Sequence, residues 1–151
     1  MCSAQAEEDE QGGCTDPTVG VGIMVSARMA DKIVDQGHVD TRITWVKLAG
    51  PICNIFFIVV YISHKGRTES PRAQDTIRQL RKLLQSIRKS DCIILAGDFN
   101  CQLQRNVPGC TGKWSMTTRA NEKGHGDEIL YLLREFDLFA VDTLFKPKRK
   151  L

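Results

Sequence analysis

The segment from 92 to 100 reads CIILAGDFN, in which five apolar residues end abruptly at Gly97, Asp98 and Asn100. A short apolar run of this kind indicates a strand that is buried on both faces. Side chains two positions apart on a strand share one face, so Asp98 and Asn100 would lie together at its carboxyl end. The carboxylate can orient or deprotonate a water molecule, and the carboxamide can hold a phosphate oxygen without adding negative charge. A simple turn is the alternative, because Asp and Asn commonly end strands by bonding nearby backbone groups.

The segments on either side of this strand follow an α/β pattern. Residues 55–62 are apolar and mostly β-branched or aromatic, which predicts another strand buried on both faces. Between the two strands, Ser70 can cap and Pro71 can begin a helix whose apolar residues recur at steps of three and four. Strands alternating with helices predict an α/β fold, and the surplus of early strands favours stacked sheets covered by helices. The remaining predicted elements are strands over Val19–Val25, Arg42–Leu48 and Leu138–Leu144, a polar loop over 101–123 and a second helix that contains Ile129 and Phe136.

Size and composition fit one globular domain. The chain has 151 residues, of which 42% are hydrophobic and 26% are charged, and that length is enough for a sizeable core. The longest apolar run has eight residues, well short of the roughly 20 that a membrane-spanning helix needs. None of the six cysteines forms a C-x-x-C pair, so no structural zinc site is expected. The acidic start lacks the apolar stretch of a signal peptide, which favours a reduced, intracellular location.

The charge is unevenly distributed along the chain. The net charge is +3, but residues 1–20 carry five acidic residues and no Lys or Arg, which leaves 13 of the 18 acidic residues against all 21 basic ones. A basic body can attract nucleic acid, whereas an ordinary solvated surface is the alternative. We interpret residues 1–17 as an acidic flexible segment, 18–146 as the domain and 147–151 as a basic C-terminal end. The stretch from Lys146 to Lys150 resembles a short nuclear import signal, with a solvated loop as the alternative.

The order of these elements resembles the endonuclease/exonuclease/phosphatase superfamily. Gly97-Asp98-Phe99-Asn100 after an apolar strand is similar to the signature of that family, and Tyr61 is similar to its active-site tyrosine. The segments Gly20–Ser26 and Asn121–Gly124 add to the resemblance, the latter to the endonuclease domains of non-LTR retrotransposons and of craniofacial development proteins. The resemblance covers residues 18–146 and implies a partial four-layer α/β sandwich, in which helices flank two stacked, mainly antiparallel sheets.

The activity that the resemblance implies is Mg²⁺-dependent hydrolysis of a phosphodiester, with DNA as the expected partner. Asp98 would position or deprotonate the attacking water and contribute weakly to a metal site, while Asn100 and Tyr61 would bind the scissile phosphate. Asn121 would face the substrate, although helix capping is its alternative role. Apart from the resemblance, Trp114 and Arg119 could stack on or grip a nucleic acid, or they could pack locally.

Two motifs of the family are missing from their expected positions. The metal-binding glutamate of the family lies on an early strand, but Glu7, Glu8 and Glu10 stand in an acidic segment without strand pattern. The Ser-Asp-His motif of the family does not follow Phe145, and the three histidines of the chain lie in other motifs. We therefore expect the chain to be inactive as it stands. The alternative functions are a non-catalytic remnant that binds nucleic acid or protein, and a phosphatase of the same superfamily.

Overall fold

The computed structural model describes residues 20–63, 71–115 and 125–146. These residues form a mixed α/β structure with one four-stranded sheet and few helices. The strands are β1 (Ile33–Asp40), β2 (Ile43–Leu48), β3 (Ile55–Tyr61) and β4 (Cys92–Asp98); the α-helices are α1 (Pro71–Ser86) and α2 (Gly126–Glu135); and 3₁₀ helices span Ala27–Lys32 and Val141–Leu144.

The four strands lie in the order β1-β2-β3-β4. The β1–β2 and β2–β3 pairs are antiparallel, and β4 is parallel to β3. Two parallel neighbours need a crossover connection, and α1 lies in the connection between β3 and β4. The sheet therefore combines two antiparallel pairs with one βαβ unit. The parallel pairing brings the carboxyl ends of β3 and β4 to the same end of the sheet.

The core lies between one face of the sheet and the two α-helices. Alternate residues of β3 are buried and the residues between them are half-buried, so one face of this strand is better covered than the other. The predicted apolar stripe of α1 is confirmed, because its members are buried against the sheet. None of the helices in the described ranges is long and apolar enough to cross a membrane. The buried core residues on the sheet and helices are Ile43, Phe56, Ile58, Val60, Ala73, Ile77, Leu80, Leu84, Ile129, Leu130, Leu132 and Leu133.

Two of the expected strands are absent from the described residues. The segment 20–26 has no strand structure, although the Val21 N–H donates to the Thr41 carbonyl at 3.1 Å. The predicted strand Leu138–Leu144 is also wrong: Ala140 makes one isolated bridge with Thr111, and a 3₁₀ helix begins at Val141. Conversely, β1 was not expected from the sequence. A second stacked sheet is not present within the part of the chain that the structure describes.

The prediction that the 92–98 strand is buried on both faces is wrong. β4 forms as expected and pairs with β3, but it lies at the edge of the sheet. Ile94 is 43% exposed, and Cys92 is also exposed. β3, by contrast, is an inner strand as predicted.

Candidate functional site

The parallel pairing of β3 and β4 brings Tyr61 next to Asp98. The two residues are direct partners in the register, at the carboxyl ends of their strands. Neighbouring strands lie about 4.8 Å apart and paired residues point to the same face, so these two side chains leave the sheet side by side. The Ile62 N–H donates to the Asp98 carbonyl at 2.8 Å, which extends the pairing one residue beyond β3.

Gly97 allows this close approach of the two strands. Its φ of +143° lies in a region that L side chains rarely adopt. A Cβ atom at this position would lie 1.9 Å from the Val60 carbonyl oxygen, which is far inside van der Waals contact. Position 97 therefore needs a glycine, because the β3 backbone occupies the space that a side chain would take.

Asp98 and Asn100 form a hydrogen-bonded turn after β4. The backbone N–H of Asn100 donates to Oδ1 of Asp98 at 3.0 Å, and Nδ2 of Asn100 donates to the Ile62 carbonyl at 2.9 Å. Asn100 has a φ of +44°, a conformation that Asn tolerates better than most residues. These bonds use one carboxylate oxygen of Asp98 and one of the two amide N–H groups of Asn100. The segment thus forms the turn that was the alternative interpretation. Both side chains still have polar atoms that are not used in the turn and could bind a ligand.

The surroundings of this turn are acidic. Burial first, and then the nearby carboxylates of Asp98, Asp142 and Glu128, together raise the pKa of the Cys101 thiol to about 11. Cys101 is therefore a neutral thiol at physiological pH rather than a nucleophile. Asp142 and Glu128 are distant from Cys101 along the chain, so their proximity to Cys101 was not predicted from the sequence.

A cleft of about 1300 Å³ runs along β4 and contains part of the predicted site. Asp98, Asn100 and Trp114 are among its lining residues, whereas Tyr61 is not. The opposite wall consists of residues from α2 and from the segment 137–143. The structure thus brings Asp98, Asn100 and Tyr61 to one end of the sheet, but only the first two lie in the cleft.

Trp114 lies at this cleft with two lysines beside its ring. The Nζ atoms of Lys113 and Lys146 are 5.3 Å and 5.6 Å from the ring centroid, within the range of cation–π attraction. The backbone N–H of Trp114 donates to the Thr143 carbonyl at 3.0 Å, which anchors its loop to the 3₁₀ helix. Trp114 is half-buried, and its two expected roles, local packing and contact with nucleic acid, both stay predictions. Arg119 and Asn121 lie outside the described residues.

The described residues do not by themselves form a magnesium site. They contain no group of three or more His, Cys, Asp or Glu side chains arranged to hold a metal ion. Asp98 is the carboxylate at the turn, and its Oδ1 already accepts a backbone hydrogen bond. His125 is buried, and its Nδ1 lies 2.9 Å from Oε2 of Glu128 at the start of α2. A magnesium ion at Asp98 would take its other ligands from water, from substrate phosphates or from residues outside the described ranges.

No protein-family model, curated protein or solved structure matches this chain. The resemblance to the endonuclease/exonuclease/phosphatase superfamily therefore remains a hypothesis, which depends on the residues and on the geometry described above.

Proposed function

We propose that this chain carries the phosphate-binding part of a Mg²⁺-dependent phosphodiester hydrolase of the endonuclease/exonuclease/phosphatase superfamily, acting on DNA. The observation that carries the proposal is the convergence of Tyr61, Asp98 and Asn100 at the carboxyl ends of two parallel strands. Ligands of open α/β sheets commonly bind at this end of the strands. The retrotransposon-type endonuclease domain is the branch that the sequence resembles.

Each of the three side chains has a role in this proposal. The carboxylate of Asp98 orients a water molecule or takes a proton from it. The free N–H of the Asn100 amide and the hydroxyl of Tyr61 donate hydrogen bonds to the non-bridging oxygens of a phosphate. Mg²⁺, when bound, would offset the negative charge on the phosphate. Among the described residues, Asp98 would be its single protein ligand.

The proposal includes a larger fold than the four strands and two α-helices that the structure describes. In a complete domain of this family, a second sheet would cover the less buried face of β3. Phe57 and Val59 on that face are only half-buried, and Ile94 on β4 is 43% exposed. An apolar sheet face of this kind needs a covering layer, which supports a four-layer sandwich. A nuclear location also belongs to this proposal, because the substrate is DNA.

A non-catalytic nucleic-acid-binding protein is the second candidate. Arg72 and Lys82 are exposed on α1 and could bind phosphates without any contribution from Asp98, whereas Arg78, also exposed, forms an ion pair with Asp75. This candidate is favoured by the acidic surroundings of Asp98, because carboxylates repel phosphate unless a cation lies between them. The two candidates differ in where the phosphate binds.

The two tyrosines of the chain provide a matched test of the proposal. Tyr61→Phe removes one hydroxyl from the proposed site, and Tyr131→Phe removes one from an exposed position on α2. One hydrogen bond is worth about 0.5–1.5 kcal/mol, so Tyr61→Phe should weaken binding of a short DNA duplex by about two- to tenfold. Tyr131→Phe should leave it unchanged. Fluorescence anisotropy with Mg²⁺ present measures both, and equal affinities for the two variants would favour the second candidate.

A further inference from the structure

The pairing of β2 with β3 places Arg42 in line with Tyr61 and Asp98. Ile43 pairs with Val60, so the next pair along these antiparallel strands is Arg42 with Tyr61. The Tyr61 N–H donates to the Arg42 carbonyl at 2.9 Å, so the pairing continues one residue before β2 begins. Tyr61 is in turn the register partner of Asp98. Arg42, Tyr61 and Asp98 therefore form one row across three neighbouring strands.

Arg42 belongs to the less covered face of the sheet. Successive side chains of a strand point to opposite faces. Ile43 is fully buried in the core, so the residue before it is directed to the other face, which also carries Tyr61. Neighbouring strands lie about 4.8 Å apart, which puts the backbone of Arg42 about 10 Å from that of Asp98. A phosphate above Tyr61 would have the Arg42 side chain on one side and the turn after β4 on the other.

Backbone hydrogen bonds hold Arg42 in place without using its guanidinium. Oδ1 of Asp40 accepts from the backbone N–H of Arg42 at 2.7 Å and from that of Ile43 at 3.1 Å. The Arg42 carbonyl is taken by the Tyr61 N–H, as described above. The backbone is thus fixed on both sides of the Arg42 side chain. A group that is positioned before its ligand arrives loses less conformational freedom when the ligand binds.

The guanidinium of Arg42 lacks a counter-ion among the residues that the structure describes. Arg78 pairs with Asp75, and Arg105 donates its Nε–H to the Ser115 carbonyl at 3.0 Å. Arg42 has no such ion pair in the described ranges, and its Nε is shielded from solvent without a hydrogen-bond partner there. A partly desolvated cation without a partner is costly, so this group indicates an anion that binds beside it.

We propose that Arg42 is a further phosphate-binding residue of the site, where its guanidinium donates hydrogen bonds to the same phosphodiester that Tyr61 contacts. Arginine binds phosphate through paired, charge-assisted N–H bonds. Its positive charge would also offset the acidic surroundings of Asp98, which repel a phosphate. The inference rests on the proposed function, because it adds a residue to that site.

Arg42→Gln and Arg88→Gln are a matched pair for testing the proposal on the full chain. Each removes one positive charge, the first beside Tyr61 and the second from an exposed position before β4, at the opposite end of that strand. By fluorescence anisotropy with a short DNA duplex and Mg²⁺, Arg42→Gln should weaken binding about tenfold or more, and Arg88→Gln about threefold or less. Arg42→Lys should restore most of the loss, because lysine keeps the positive charge.

The outcomes separate this inference from the proposed function. Equal weakening by Arg42→Gln and Arg88→Gln would overturn the inference. If Tyr61→Phe still weakened binding in that case, the proposed function would stand without Arg42, and if it did not, both would fail. Binding that is lost equally in Arg42→Gln and Arg42→Lys would also overturn the inference, because the role of Arg42 would then be structural.

A measurement on the unsubstituted chain does not depend on the folding of any variant. In ¹H–¹⁵N spectra recorded during titration with the same duplex, the side-chain Nε–H signal of Arg42 should shift together with the backbone amide of Tyr61. The Nε–H of Arg105, which is bonded to the Ser115 carbonyl, is the control and should keep its position. An Arg42 signal that stays in place while the Tyr61 amide shifts would show that Arg42 does not contact the phosphate.

Discussion

The Gly97→Ala substitution should be the most destabilising small change in the described part of the sheet. Alanine would have to adopt a φ of +143°, which costs about 1–3 kcal/mol of backbone strain. Its Cβ would also lie 1.9 Å from the Val60 carbonyl oxygen, so β3 and β4 must move apart. Forcing extra atoms into a packed site costs about 1–3 kcal/mol more. The expected loss is therefore about 2–6 kcal/mol in the free energy of unfolding, measured by urea denaturation.

Gly109→Ala is the matched control for the strain alone. Gly109 has a φ of +71°, but a Cβ there would meet no atom within 4 Å. This variant should lose only about 1–2 kcal/mol, the cost of the left-handed backbone conformation. If both variants lost the same stability, or if Gly97→Ala lost less than Gly109→Ala, the close contact between Gly97 and Val60 would not exist as described.

Three further predictions concern pH, salt and catalysis. A hydrogen bond from Lys47, at 2.7 Å, holds the pKa of Asp91 below the ordinary value of 3.8. The stability that this pair contributes is present above pH 3.8 and is lost as the pH falls through the lower pKa of the folded state. In urea denaturation between pH 3.8 and that lower pKa, the Asp91→Asn variant should therefore lose less free energy of unfolding on acidification than the unsubstituted chain. DNA binding should be independent of sequence and should weaken steeply between about 50 and 200 mM salt, and anisotropy that stays flat with salt would exclude a phosphate-based interaction. The chain should nick plasmid DNA little or not at all with Mg²⁺, because the family's metal-binding glutamate and Ser-Asp-His motif are missing from their expected positions and groups that act as a unit fail together. Robust nicking that a chelator abolishes would contradict this.

The elements that were predicted correctly are those whose periodicity follows directly from burial. α1 has apolar residues at helical spacing and β3 is a continuous apolar run, so both patterns reflect the core that these elements build. β1 has no such pattern, because it is an edge strand whose residues are mostly exposed and polar. The apolar segment 19–25 suggested a strand, but residues 20–26 have no strand structure. A Cβ atom at Gly20 or Gly22 would meet no atom within 4 Å, so no neighbouring strand packs closely against this segment.

The candidate site was only partly predictable from the sequence. The Gly97-Asp98-Phe99-Asn100 turn was identified because its residue types have strong local preferences. Tyr61 was identified only by its resemblance to the family's tyrosine, and the pairing of β3 with β4 is what places it beside Asp98. The approach of Asp142 to Cys101 depends on how the segment 137–143 lies along the cleft, which no local pattern encodes. The edge position of β4 was not predictable for a similar reason. An apolar run indicates that a strand is buried, but it does not show which other elements lie beside it or cover it.

The most direct test of the proposed function is to locate the DNA on the protein. In ¹H–¹⁵N spectra recorded during titration with a short DNA duplex and Mg²⁺, the amides of Tyr61, Ile62 and residues 98–101 should shift at the lowest DNA concentrations. These amides surround the Asp98–Asn100 turn and the end of β3, where the phosphate is proposed to bind. Shifts confined to the exposed basic residues of α1, with no change at the turn, would contradict the assignment of Asp98, Asn100 and Tyr61 to a phosphodiester site.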